Sequence, residues 1–177
     1  MLPDRLAAYR NAPLGDLLAI LLRQYRRPLA EHGVDLSDSD AEAIARDIAA
    51  HGAADERIQP LRDALAGLVE ASRLVLAGWQ LTFQQSLDTE ISAIPGWEST
   101  AEFLEIASEK ANAELRISTG AALLTALGDR HYAPELLFLV ARGDDDLDAV
   151  IARRVLLFAS GIDEDDPDWL DKLRAWG

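Results

Sequence analysis

An internal repeat with a 33-residue offset constrains this chain more than any other feature. Residues 117–140 set above 150–173 align Leu123 with Leu156, Leu124 with Leu157, and Ala126 with Ala159. Gly128 falls on Gly161, Pro134 on Pro167 and Leu137 on Leu170. Asp168 takes the place of Glu135, and Leu173 that of Val140. Self-similarity at such a period marks stacked helical pairs, because a lone pair cannot bury its apolar face and stacked neighbours can.

Each copy reads as helix, tight turn, helix. Apolar residues recur at helical spacing in the first helix: Ile117, Leu123, Leu124 and Leu127, then Val150, Ile151, Val155, Leu157 and Phe158. Gly128 and Gly161 stand where that helix should close, since glycine accepts the left-handed conformation of a helix C-terminus. Pro134 and Pro167 fall in the first turn of the next helix, where a missing N–H costs nothing. An acid follows each, Glu135 or Asp168, and suits the helix dipole. A third copy lies upstream, where Ala101, Glu102, Phe103, Leu104 and Ala107 fall on Pro134, Glu135, Leu136, Leu137 and Val140. Ile91, Ile94 and Pro95 fall on Leu124, Leu127 and Gly128.

On these residues the segment resembles a HEAT-like repeat of the short, phycobilisome-lyase type. The carrying motifs are the turn at 126–129 (Ala-Leu-Gly-Asp), the run at 133–137 (Ala-Pro-Glu-Leu-Leu) and the helix end at 158–161 (Phe-Ala-Ser-Gly). The resemblance covers about 112–173 and, with fewer matching positions, 79–111. It implies an α-solenoid surface that binds other macromolecules. A few members of that family act on chromophores, but no catalytic motif here carries that activity over.

The length of 177 residues suits one domain, large enough to bury about 70% of its unfolded surface. There is no cysteine, so disulfides and thiolate chemistry are excluded. The start, MLPDRLAAYR, lacks a signal peptide's apolar core, and the apolar run at 17–22 is far short of a membrane span. A cytoplasmic location is the expectation. The net charge of −14 argues against nucleic acid, whose binding needs a basic surface, and against anionic membranes. The charge is uneven: residues 1–33 carry +2 and residues 144–177 carry −6. Solubility accounts for an acidic end, and so does the docking of a basic partner.

Taken in order, a short helix is expected over 4–10, and another from Pro13 to Gly33 with its apolar face at Leu14, Leu17, Leu18, Leu21, Leu22, Tyr25 and Leu29. Pro28 should kink or end it. Arg23, Arg26 and Arg27 share one side of it, and intramolecular pairing with acids is the preferred reading. Ser39 with Glu42 reads as a capping box opening a helix at about 40–51. Ile58, Leu61, Leu65, Leu68, Ser72, Val75 and Trp79 then alternate at three and four, and Phe83, Leu87 and Ile91 continue the face. This predicts one helix over about 55–91, a buried spine in preference to a homodimer seam. Ser99 with Glu102 opens the next stretch, to Leu127, where the repeat register favours a break near Asn112. Helices over about 134–142, 147–160 and 167–176 complete the chain.

Chemistry-bearing candidates are few. Asp144, Asp145 and Asp148 make a DDxxD pattern that in helical prenyl-diphosphate enzymes holds magnesium, because hard cations want several carboxylate oxygens. It falls beside a helix N-terminus, where acids are expected anyway. A second acidic run holds Asp163, Asp165 and Asp166; the intervening helix spans roughly 20 Å, which sets the two runs too far apart to form one site. Local pairing of this run with Arg130 and His131 is expected. His32, His51 and His131 are scattered and form no Glu-x-x-His pair. Glu102 and Glu105 lack a facing acidic pair, and no phosphate loop, nucleophile elbow or dinucleotide fingerprint is present. Trp169, Leu173 and Trp176 form a stripe, with Leu170, on the terminal helix; it either caps the last pair or offers a partner-binding surface, with Asp163, Asp165 and Asp166 beside it.

The sequence therefore reads as all-α: an N-terminal helical bundle over 1–95 leading into a short HEAT-like α-solenoid over 96–177. The function expected is a non-catalytic scaffold or adaptor that binds a protein partner and uses no cofactor. The alternative is a metal-dependent helical enzyme acting on a phosphorylated or diphosphate substrate through the aspartate-rich turns.

Overall fold

A computed structural model describes residues 2–51, 58–88 and 101–177, and all regular structure among them is helical. The helices are α1 (Leu2–Asn11), α2 (Leu14–Glu31), α3 (Asp38–His51), α4 (Gln59–Asp88), α5 (Ala101–Ala126), α6 (Ala133–Val140), α7 (Leu147–Ser160) and α8 (Trp169–Trp176). A single 3₁₀ turn, Arg130–Tyr132, leads into α6. Among the described residues no helix is long and apolar enough to cross a membrane.

The first two helices of any size form an antiparallel pair. α2 buries Leu17, Leu18, Leu21, Leu22, Tyr25 and Leu29, the face read from its periodicity. Its remaining side carries Arg23 and Arg26, which meet Glu42 at 3.4 Å and Asp38 at 2.5 Å on α3. Arg27 stays on its own helix beside Glu31, at 3.9 Å. The basic side of α2 is thus an intramolecular pairing surface. Pro28 does not end α2, which runs on to Glu31. Leu29, wholly buried, anchors the turn beyond it, and burial of a leucine, about 2 kcal/mol, offsets part of the cost of the missing N–H. The capping box of α3 also differs from expectation. Ser37 Oγ accepts from the Asp40 N–H at 3.1 Å, and Asp40 accepts from the Ser37 N–H at 2.9 Å. The reciprocal pair of a capping box is therefore Ser37 with Asp40, two residues earlier than Ser39 with Glu42.

α4 and α5 form the most extensive helix contact. Arg62 donates to the Leu127 carbonyl, and Val69 lies against Gly120. Val75 and Asn112 line one groove, so the two helices run antiparallel. Ile58, Leu61, Leu65, Leu68 and Ser72 are buried as the heptad pattern required, but Val75 is 40% exposed. The expected end of this helix near Ile91 and the boundary at 94–99 lie outside the described residues. α5 is unbroken at Asn112. It contains no proline, and no glycine before Gly120, so nothing in its backbone interrupts the hydrogen-bond ladder. At Gly120 the two helices come so close that an added Cβ would lie 2.5 Å from Val69 Cγ2.

The two copies of the repeat each form helix, turn, helix. α5 closes at Gly128 (φ 87°) and α7 at Gly161 (φ 69°). The closures differ in their hydrogen bonds. At Gly128 the Asp129 N–H reaches the Leu124 carbonyl at 2.9 Å and the Gly128 N–H reaches Thr125 at 3.0 Å, a Schellman motif. At Gly161 a single bond to the Leu157 carbonyl, 3.0 Å, makes the simpler left-handed cap. α6 packs on both α5 and α7, and α8 on α7. α1 lies against α7 as well, where Arg154 donates to the Tyr9 carbonyl at 2.6 Å. One contiguous core joins Leu18 and Leu22 of α2 through Leu65 and Leu124 to Leu156 and Leu173.

The Gly120 contact yields a test. Gly120→Ala gains helix propensity of about 1 kcal/mol but forces Val69, a branched and wholly buried side chain, to shift. A net loss of about 1–2 kcal/mol is expected in urea denaturation. Adding Val69→Ala should restore most of it.

Candidate functional site

The aspartates of the first acidic run each have a structural occupation or none. Asp146, not one of the candidate ligands, caps α7 by accepting from the Ala149 N–H at 3.0 Å. Asp144 accepts from Arg153 at 3.1 Å, and its carbonyl accepts from Arg10 of α1. Asp145 is exposed. Asp148 sits half-buried in the first turn of α7, and its carboxyl is raised above the usual range by burial first and the neighbouring Asp146 second, against the opposing pull of Arg142. Among the described residues no three carboxylate or imidazole groups converge closely enough to hold a metal ion.

The two acidic runs, expected to be too far apart for one site, meet at a single side chain. Arg153 reaches Asp144 with one terminal nitrogen at 3.1 Å and Glu164 with the other at 2.8 Å. The reversal at Gly161 brings the second run back along α7, and a long arginine spans what remains. The same guanidinium lies 4.5 Å over the ring of Trp169. In the second run Asp163 accepts from the Asp165 N–H at 3.0 Å, and Asp166 from the Asp168 N–H at 2.9 Å. Asp166 also pairs with Lys172, which holds its carboxyl below the usual range. Asp165 is exposed. The expected pairing with Arg130 is replaced by another: Arg130 donates to the Trp176 carbonyl and stacks on its ring at 4.4 Å.

The aromatic stripe on α8 turns toward the protein. Leu173 is fully buried, while Trp169 and Trp176 are half-buried against the core, each roofed by an arginine. Only part of each tryptophan is left for another molecule.

The exposed large apolar side chains lie elsewhere, and periodicity alone does not mark them. Leu74 on α4 is 75% exposed, Phe138 on α6 is 72% and Leu115 on α5 is 51%. Beside Val75 a groove of about 520 Å³ runs between α4 and α5. Its floor is Leu68 and Ala113, and its walls carry Glu105, Glu109, Arg116 and His32. A second groove, of about 500 Å³, lies between α3 and the start of α4. Each groove joins residues from helices that only the tertiary fold brings together.

Two predictions follow from the acidic edge. Replacing Arg153 with Ala removes two ion pairs and a cation–π contact, an expected loss of about 1–2 kcal/mol in urea denaturation. Arg153→Lys should recover less than half, since a lysine cannot bridge both carboxylates while stacking on Trp169. For Asp148, a raised folded-state value means that its contribution to stability is present below the ordinary carboxylate range and is lost as pH rises through the raised value. Asp148→Asn should therefore raise the Tm at pH 7 and leave it unchanged near pH 3, as calorimetry at the two pH values would show. No protein-family model, curated protein or solved structure matches this chain.

Proposed function

We propose that this chain is a non-catalytic protein-interaction module. The observation that carries the reading is a pair of adjacent exposed apolar side chains on α4, Leu74 and Val75. Ser72 is buried, the next two apolar residues, Leu74 and Val75, are exposed, and Val75 lines the groove between α4 and α5. A leucine three-quarters exposed gives nothing to the fold, and apolar side chains beside a polar-walled groove suit a partner's surface. The HEAT-like resemblance, which implies stacked helical pairs that present such surfaces, points the same way.

The enzymatic alternative would use Asp144, Asp145 and Asp148. It has less support, because Asp144 is held by Arg153 and the three groups make no metal-binding set.

The test is Leu74→Glu. Since Leu74 is 75% exposed, the variant should keep the wild-type Tm. Affinity purification from the native host's lysate should yield one stoichiometric protein with wild type and about tenfold less of it with the variant. A magnesium-dependent turnover of a phosphorylated compound that is abolished by Asp145→Asn would overturn the reading.

A further inference from the structure

The second groove differs from the first in that the described residues lining it carry one sign of charge. Its floor is apolar: Leu36, Ile58 and Leu61 are buried and Ile44 half-buried. Its rim carries Asp35, Asp40 and Asp47, and among the described residues no basic side chain lines it. α3 thus presents two acidic sides. Asp38 and Glu42 are paired with arginines of α2. Asp40 and Asp47, about two turns apart on the other side, face the groove. We propose that this groove is a docking site for a basic amphipathic segment of another protein.

Charge decides among occupants. Leucine-like side chains fill an apolar floor of about 500 Å³, and lysine or arginine satisfies a rim of three carboxylates. A second copy of this chain would bring another net charge of −14, and its Arg23 and Arg26 are already engaged. Hydrogen bonds from Ser37 hold the Asp40 carboxyl below its ordinary range. The inference rests on the reading of the chain as a binding module but uses a surface remote in sequence from Leu74, so Leu74→Glu and the variants below fail independently.

The probe is a fluorescein-labelled fourteen-residue peptide of leucine and lysine at helical spacing, titrated with the full chain and followed by anisotropy. Two variants alter the groove: Asp35→Asn with Asp47→Asn removes charge, and Ala43→Arg, at an exposed position on its wall, fills it. Asp40 is left intact because it caps α3. The expected result is binding that weakens about tenfold in either variant and is unchanged by Asp163→Asn with Asp165→Asn. Equal weakening by that distant pair, or competition by spermine as strong as by unlabelled peptide, would reduce the effect to general charge attraction and overturn the proposal. So would an absence of binding, or a wild-type dimer in sedimentation that Ala43→Arg dissociates, the occupant then being a second copy.

Discussion

The close approach of α4 and α5 at Gly120 is the constraint on which the rest of the packing depends. With no side chain at that position, Val69 sits directly on the α5 backbone, and the Leu65 carbonyl lies 4.0 Å from where a Cβ would stand. Tyr25 of α2 reaches the same region, and its hydroxyl donates to the Leu115 carbonyl at 3.1 Å. Burial keeps that phenol un-ionised far above its ordinary range, so it serves as a fixed donor. α2, α4 and α5 are therefore held at one place, and α6 and α7 build outward from the far end of α5.

Around this apolar centre the excess of acid is managed by a few arginines placed to serve more than one partner. Arg73 joins α4 to α6 by meeting Glu70 at 2.6 Å and Glu135 at 2.7 Å, with the Tyr132 ring 5.6 Å away. Arg153 does the same for the two acidic runs and Trp169, and Arg130 for the carbonyl and the ring of Trp176. A planar guanidinium can hold two carboxylates at its edge while its face rests on a ring, which a lysine cannot. Among the described residues Arg73 and Arg153 each serve two carboxylates in a chain with seventeen basic residues and thirty-one acids. Individually these exposed pairs contribute little stability, under about 1 kcal/mol each. Their effect is to choose which acidic side chains are neutralised.

Local rules made much of this legible. The period of the apolar residues located the buried faces of α2 and of α4 up to Ser72, and Gly128 and Gly161 marked two chain reversals that do adopt positive φ. The bounds of α7 agree with the expected 147–160 to the residue, because Asp146 and Gly161 are strong signals at its two ends. What was not legible depends on distance in sequence. The unbroken course of α5 through Asn112 went against a repeat register that predicted a break, since register is an analogy and backbone hydrogen bonding is local physics. The role of Gly120 needs Val69, more than fifty residues away, to be seen. The meeting of Asp144 and Glu164 needs the path of the chain after Gly161, which a rise per residue along α7 does not contain. Neither groove is written in any single segment.

The same reasoning bears on how an acidic chain acquires specificity. A uniformly negative surface attracts every cation and distinguishes none, because long-range attraction is screened within roughly 8 Å at physiological salt. Discrimination needs charge set against a shaped apolar floor, where an incoming side chain loses water and must match both. On α3 the two conditions coincide. Its side toward α2 is neutralised by Arg23 and Arg26, and its side toward α4 keeps Asp40 and Asp47 above Ile44 and Leu61. The arginines of α2 therefore do more than steady a helix pair. By occupying Asp38 and Glu42 they confine the uncompensated charge of α3 to the side that borders the groove.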